Sequence, residues 1–147
     1  MALNLLFQIL TSWLIAYCAL SLFYKTVSAT YSEIYREPTF LTSILTGVDL
    51  NFHPTAKFIV SGILNHSIGI CFAGIYYLIW YYEFADISFT TSLIIGFISA
   101  LLRIISWTLL LIVIPSSWLI NFKGYYLQLV FLHSIFTFIV AILYKLF

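Results

Sequence analysis

Apolar positions in this chain run in four long blocks separated by shorter polar segments. The blocks cover residues 3–24, 57–81, 88–114 and 124–146. The first stops at Lys25, and the third ends before Pro115. A membrane-spanning helix needs about 20 mainly apolar residues, and each block supplies them. The second holds an uncharged run from Ile68 to Tyr82. The pattern predicts an all-α polytopic membrane protein, with residues 1–147 forming one domain built as a four-transmembrane-helix bundle. The first block has no Lys or Arg ahead of it and outlasts the roughly 7–15 apolar residues of a signal peptide, so it reads as a retained span.

The only long polar stretch is 25–56. Within it, Pro38 to Gly47 has the start and stop residues of a short helix, with Phe40, Leu41, Ile44 and Leu45 on one face. Ten helical residues reach only about 15 Å, half the ~30 Å hydrocarbon core. This helix, in the segment that connects helices 1 and 2, is therefore expected to lie along the cytoplasmic membrane interface, or to dip in as a re-entrant lid. His53, just before Pro54, reads as a helix-entry residue.

Composition sharpens the picture. Hydrophobic residues make up 63% and charged residues 7%, against about 25% charged in soluble domains. A net charge of +1 leaves no electrostatic footprint for nucleic acid. Lys25, Arg36 and Lys57 flank the first connection and Lys123 the third, while the opposite side carries only Lys145. The positive-inside rule then places both termini outside. Tyr76, Tyr77, Trp80, Tyr81 and Tyr82 read as an interfacial aromatic belt. Cys18 and Cys71 stand in apolar runs, away from any Cys/His cluster that would suggest a metal site.

Helical rotation sorts the remaining residues. Gly62, His66, Gly69 and Ala73 fall on one stripe of the second helix. Gly96, Ala100, Arg103 and Trp107 fall on one stripe of the third. Small residues at this spacing let helices approach closely in lipid, so Gly62, Gly69, Ala73, Gly96 and Ala100 are the expected packing positions. Tyr126, His133, Thr137 and Tyr144 share a stripe on the fourth helix, and Asn4, Gln8 and Thr11 on the first. His66 and His133 each lie nine residues into their spans, about 14 Å deep, and Arg103 about 18 Å deep. The candidate intramembrane polar site is His66, His133, Arg103, Tyr77 and Tyr144.

Several readings of that site stay open. The imidazoles can be interhelical hydrogen-bond glue. They can form a ligand pocket or proton relay. They can be the two axial ligands of a haem b, if they face each other across the bundle. Arg103 can be a structural anchor or the contact for an anionic lipid or small anion.

A weak internal repeat runs through the chain. His66-Ser67-Ile68 with Tyr77 matches His133-Ser134-Ile135 with Tyr144, and Ser12-Trp13 matches Ser106-Trp107. This suggests a duplicated hairpin whose pseudo-twofold lies along the membrane normal. From His66 onward the chain also resembles the YagU-like small inner-membrane proteins, in His66, Tyr77, Gly96, Pro115 and His133. The resemblance implies an inner-membrane protein, with a suggested link to acid stress, and supplies no catalytic residues; Arg103 has no counterpart in it. Read from the residues themselves, the spans hold no Asp or Glu and no nucleophile paired with a base outside the two His, so an enzyme is disfavoured. The expected function is an accessory or structural subunit packing with itself or with larger membrane partners. The alternatives are a small transporter or proton- or anion-handling protein working as an oligomer, and a haem electron carrier.

Overall fold

The computed structural model describes residues 2–30, 42, 45–46, 53–113 and 122–146. They form four helices: α1 Ala2–Thr30, α2 Pro54–Tyr81, α3 Phe89–Val113 and α4 Phe122–Leu146. All four are long and apolar enough to cross a bilayer. At 1.5 Å per residue, the 25 residues of α3 or α4 reach about 37 Å, beyond the ~30 Å core. Large apolar side chains cover their outward faces, among them Phe7, Leu14, Phe58, Ile63, Leu102, Ile105 and Leu127. An apolar surface this extensive is not sustained by a soluble monomer.

The helix ends follow local chemistry. α2 starts at Pro54, three residues before the expected boundary, because proline is preorganised for the first helical position. His53 takes the cap position with extended backbone, and its carbonyl accepts the Lys57 amide at 3.1 Å. α1 continues past Lys25 to Thr30, since a charge ends a membrane span but not a helix; its apolar stretch is Asn4–Phe23.

The α2–α3 turn is closed at both edges. The Phe84 amide donates to the Ile79 carbonyl and the Glu83 amide to the Trp80 carbonyl, the two bonds of a Schellman ending. Glu83 takes the left-handed position, φ 55°, that glycine fills at lower cost. Ser88 then caps α3. The Thr91 amide donates to the Ser88 hydroxyl at 3.1 Å, and the Ser88 amide donates back to the Thr91 hydroxyl at 3.0 Å. This is a reciprocal capping box in which threonine replaces the usual glutamate. The Thr91 hydroxyl also contacts the Asp86 carbonyl.

Of the expected helix from Pro38 to Gly47, only Thr42, Leu45 and Thr46 are among the described residues. Thr46 donates to the Thr42 carbonyl at 2.9 Å, and the Thr42 hydroxyl donates to Ser61 at 3.0 Å. The rest of that helix lies outside the described residues, as does Lys123 beyond its backbone.

The four helices pack around α4, which touches each of the others; α3 docks chiefly on α4. α1 and α2 are antiparallel, with Ser12 meeting Tyr77 and Tyr17 meeting His66. α2 and α4 are parallel, with Phe72 meeting His133 and Tyr77 meeting Tyr144. The start of α1, the α2–α3 turn and the end of α4 thus share one end of the bundle. The core concentrates there, in Ala16, Ala73, Tyr76, Tyr77, Trp80, Phe136, Val140 and Ala141.

Candidate functional site: the polar seams

Each helix turns one stripe inward. On α3 the buried positions are Ser92, Gly96, Ser99, Ala100, Arg103 and Trp107, all on one helix face, with Ile95 and Ile104 half-buried at its edge and the other residues between them exposed. Arg103 is 8% exposed, and its guanidinium carbon stands 5.1 Å from the centre of the Trp107 ring. A cation over an indole face gains electrostatic attraction that grows as water is removed. Ala100 is fully buried beside it.

Gly96 is where α3 comes closest to α4. A methyl added there would lie 2.7 Å from Ser134 Cα and 3.0 Å from the His133 carbonyl oxygen. Only hydrogen fits against that backbone. Gly69 plays the same part between α2 and α1, where a methyl would meet Trp13 Nε1 at 2.8 Å. Ala73, one turn on, is fully buried. Gly62 makes no such close approach among the described residues, where an added methyl meets nothing within 4 Å. It lies toward the start of α2, outside the half of that helix that enters the core.

The two imidazoles occupy different seams. His66 lies edge-on to Trp13 at 5.5 Å and to Tyr17 at 4.5 Å, both on α1. Its Nδ1 is buried without a hydrogen-bond partner. His133 sits edge-on to Phe72 of α2 at 5.6 Å. Phe72 is six residues beyond His66, a rotation of about 120° on the helix, so His66 points away from the side of α2 that meets His133. Facing axial ligands for a haem are therefore not formed by this pair. The His133 Nδ1 lies 3.0 Å from the Leu129 carbonyl, an acceptor only. The proton is thereby assigned to Nδ1, leaving Nε2 as the acceptor of the neutral ring.

Tyr77 and Tyr144 do come together, ring centres 4.8 Å apart and edge to face. The Tyr77 hydroxyl is 2.7 Å from Ser12 Oγ and 3.4 Å from the Gln8 carbonyl oxygen. If its one proton goes to the carbonyl, Ser12 donates to it. Trp80 packs on Tyr144 at 5.5 Å. The aromatic belt expected at the end of α2 is therefore divided. Tyr76, Tyr77 and Trp80 are buried, while Tyr81 and Tyr82 are exposed. Positions 76, 77 and 80 share the inward face of the helix, and composition alone does not reveal which face that is.

The interior stripe of α1 also differs from the expected one. It runs through Leu5, Ile9, Ser12, Trp13, Ala16 and Leu20, with Asn4 on the outside. Thr11 turns its hydroxyl to the Phe7 carbonyl at 2.7 Å, which lets it sit off the interior seam. α2 and α4 run parallel, but the paired motifs of the two halves do not take equivalent places. Ser12 bonds Tyr77, whereas Ser106 is exposed and donates to its own helix at Leu102. Between α3 and α4 the polar tie is instead Thr108 to Tyr126, hydroxyls 3.0 Å apart.

One polar cluster was not visible as such in the sequence. The Tyr76 hydroxyl of α2 neighbours Ser99 of α3 and Thr137 of α4. The sequence signal lies in spacing: Ser92 and Ser99 stand seven apart on the stripe of Gly96 and Arg103. No group of three metal-ligating side chains occurs among the described residues. In comparisons with known proteins, no family model, no curated protein and no solved structure matches this chain.

Proposed function

We propose that this chain is an integral membrane protein serving as an accessory or structural subunit, packing with itself or with larger membrane partners. The observation that carries this reading is how the polar groups of the helices are used. Ser12 joins Tyr77, Thr108 joins Tyr126, and His133 turns to Leu129. Ser99, Ser134 and Thr137 each donate to a carbonyl one turn back, at 2.8–2.9 Å. At Gly96 the α3–α4 seam is closed to backbone contact. The first two bonds cross between helices, as expected of helix-packing glue, and the others satisfy a side chain on its own helix. A subunit of this type presents apolar flanks to lipid and to other spans. In the orientation that the Lys and Arg distribution favours, its termini are outside the inner membrane.

The test is the mass of the intact assembly released from native membranes in mild detergent. The proposal expects a species heavier than one chain, containing further copies or other membrane subunits. A single chain under conditions that keep known membrane complexes together would refute it.

Arg103 supports a second reading, anion handling by an oligomer. A guanidinium stays charged at any physiological pH, and burying one at mid-span costs at least about 2.5–3.5 kcal/mol on insertion scales. Burial of Arg103 beside Trp107 is the supporting observation. Anion-dependent flux in proteoliposomes that Arg103→Leu abolishes would favour this reading; flux-free vesicles would sink it.

A further inference from the structure

The turn between α2 and α3 carries a run of exposed aromatic rings that the packing of the bundle does not use. Tyr82 is 63% and Phe84 80% exposed, and Tyr81 is exposed beside them. The three rings touch in series. Tyr81 and Tyr82 stand perpendicular, with centres at 5.3 Å, and Phe84 follows Tyr82 at 6.1 Å. Phe84 comes directly after the left-handed position of the Schellman ending, where an apolar side chain commonly folds back on the last turn of its own helix. Here the ring lies outward against Tyr82 instead. An aromatic ring is negative on its face, so an exposed face attracts a cation.

Two carboxylates share the same turn. Glu83 stands between Tyr82 and Phe84 in the chain, Asp86 two residues beyond, and both are exposed. Neither has a basic partner among the described residues. Glu83 keeps its carboxylate at φ 55°, a conformation that glycine adopts at lower cost. The Tyr81 and Tyr82 hydroxyls make no hydrogen bond among the described residues and are free to donate. The turn joins the apolar stretches Pro54–Tyr81 and Phe89–Leu110, so in a bilayer it stands in the headgroup layer.

We infer that this turn binds the ammonium headgroup of a zwitterionic aminophospholipid, of the phosphatidylethanolamine class. The Glu83 carboxylate and the faces of Tyr82 and Phe84 receive the primary ammonium, whose N–H groups donate to the carboxylate while its charge lies by the rings. The phosphate of the same headgroup accepts from a tyrosine hydroxyl. The sign of the turn selects this occupant. A phosphatidylglycerol headgroup would bring its phosphate to Glu83 and Asp86 with no ammonium to offset the repulsion. A purely apolar anchor would use the rings and leave both carboxylates without a role. The inference needs the chain in a bilayer but no partner subunit, so its failure leaves the subunit reading standing.

The test is thermal unfolding of the full chain in a mild detergent with short-chain phosphatidylethanolamine added, against phosphatidylglycerol of the same chain length. A ligand that binds only the folded state raises Tm, and phosphatidylethanolamine should raise it by about 2–4 °C more than phosphatidylglycerol. Glu83→Gln removes the charge from an exposed side chain, so its lipid-free Tm should stay within about 2 °C of the unaltered protein. Tyr82→Leu keeps the carboxylate and the apolar bulk but removes a ring face and a hydroxyl. Both variants should lose most of the difference between the two lipids. Equal gains from the two lipids overturn the inference and make the turn a general interfacial anchor. A difference that either variant keeps for the most part overturns it as well. Should Tyr82→Leu fail to fold, Glu83→Gln decides alone.

Discussion

Gly96 offers the sharpest test of the packing. Replacing it with alanine puts a methyl 2.7 Å from Ser134 Cα, 3.0 Å from the His133 oxygen and 3.1 Å from the Ser134 nitrogen. All three are backbone atoms of α4, so no side-chain rotation relieves the clash. Ordinary contact begins near 3.4 Å, and the seam must open by about 0.7 Å (3.4 minus 2.7). A gap of 0.5–1 Å forfeits roughly a quarter to a half of each dispersion contact it crosses. Overpacking of this kind costs about 1–3 kcal/mol, against a helix-propensity gain of about 1 kcal/mol for Gly to Ala. We expect a net loss of up to about 2 kcal/mol, or up to roughly 8 °C in Tm, and a Tm below that of the control variants. Gly62 and Gly74 supply the controls, because added methyls there meet nothing within 4 Å. Their alanine variants should be neutral or up to about 1 kcal/mol more stable. Gly69→Ala should fall between, since its neighbour is the Trp13 side chain, which can swing. The assay is circular-dichroism melting of the four variants in one mild detergent. If Gly96→Ala melts with the Gly62 variant, the close α3–α4 approach is wrong.

Three further outcomes follow from the same geometry. Glu83→Gly should stabilise the protein by about 0.5–1 kcal/mol, because φ 55° strains every residue but glycine; unchanged or reduced stability on chemical unfolding would count against it. Ser12→Ala and Tyr77→Phe should each cost about 0.5–1 kcal/mol and couple by about 0.6 kcal/mol in a double-mutant cycle, as one interhelical hydrogen bond at 2.7 Å requires. Thr91→Val removes the hydroxyl that accepts the Ser88 amide while the amide of residue 91 still donates to Ser88 Oγ, and should cost about 0.5–1 kcal/mol, with faster amide exchange confined to the first turn of that helix.

The four spans were legible because apolar blocks of this length have few other physical uses. Buried residues on α3 were legible too, since Gly96, Ala100 and Arg103 already fix the inward direction at steps of three and four. α1 and α2 were harder. Small polar residues such as Asn4 and Thr11 can turn their side chains onto their own backbone, so a polar stripe need not face inward. Tyr76, Tyr77 and Trp80 look like an interfacial belt by position alone; their burial is set by neighbours from α1 and α4. The depths of His66 and His133 could be counted along the helices. Their directions could not, because helix-to-helix registry comes from tertiary contacts such as Trp13 on Gly69. For Tyr76, Ser99 and Thr137, which come from three helices, the seven-residue spacing of Ser92 and Ser99 gives the inward direction on α3 alone, and nothing in the sequence relates it to the other two.

The account rests on a bundle whose interior is closed, with the first residues of α1, the 82–88 turn and the end of α4 on one side. Thiol labelling of intact membrane vesicles reads both at once, in a Cys18→Ser, Cys71→Ser background. Single cysteines at Glu83, beside Lys145 and at Ala100 are treated with a membrane-impermeant maleimide from each side in turn. The account predicts that Glu83→Cys and the cysteine beside Lys145 react from the same side, and that Ala100→Cys reacts from neither. Labelling of the first two from opposite sides would contradict the topology. Ready labelling of Ala100→Cys would mean a water-filled interior, and a transport pathway in place of a packed subunit.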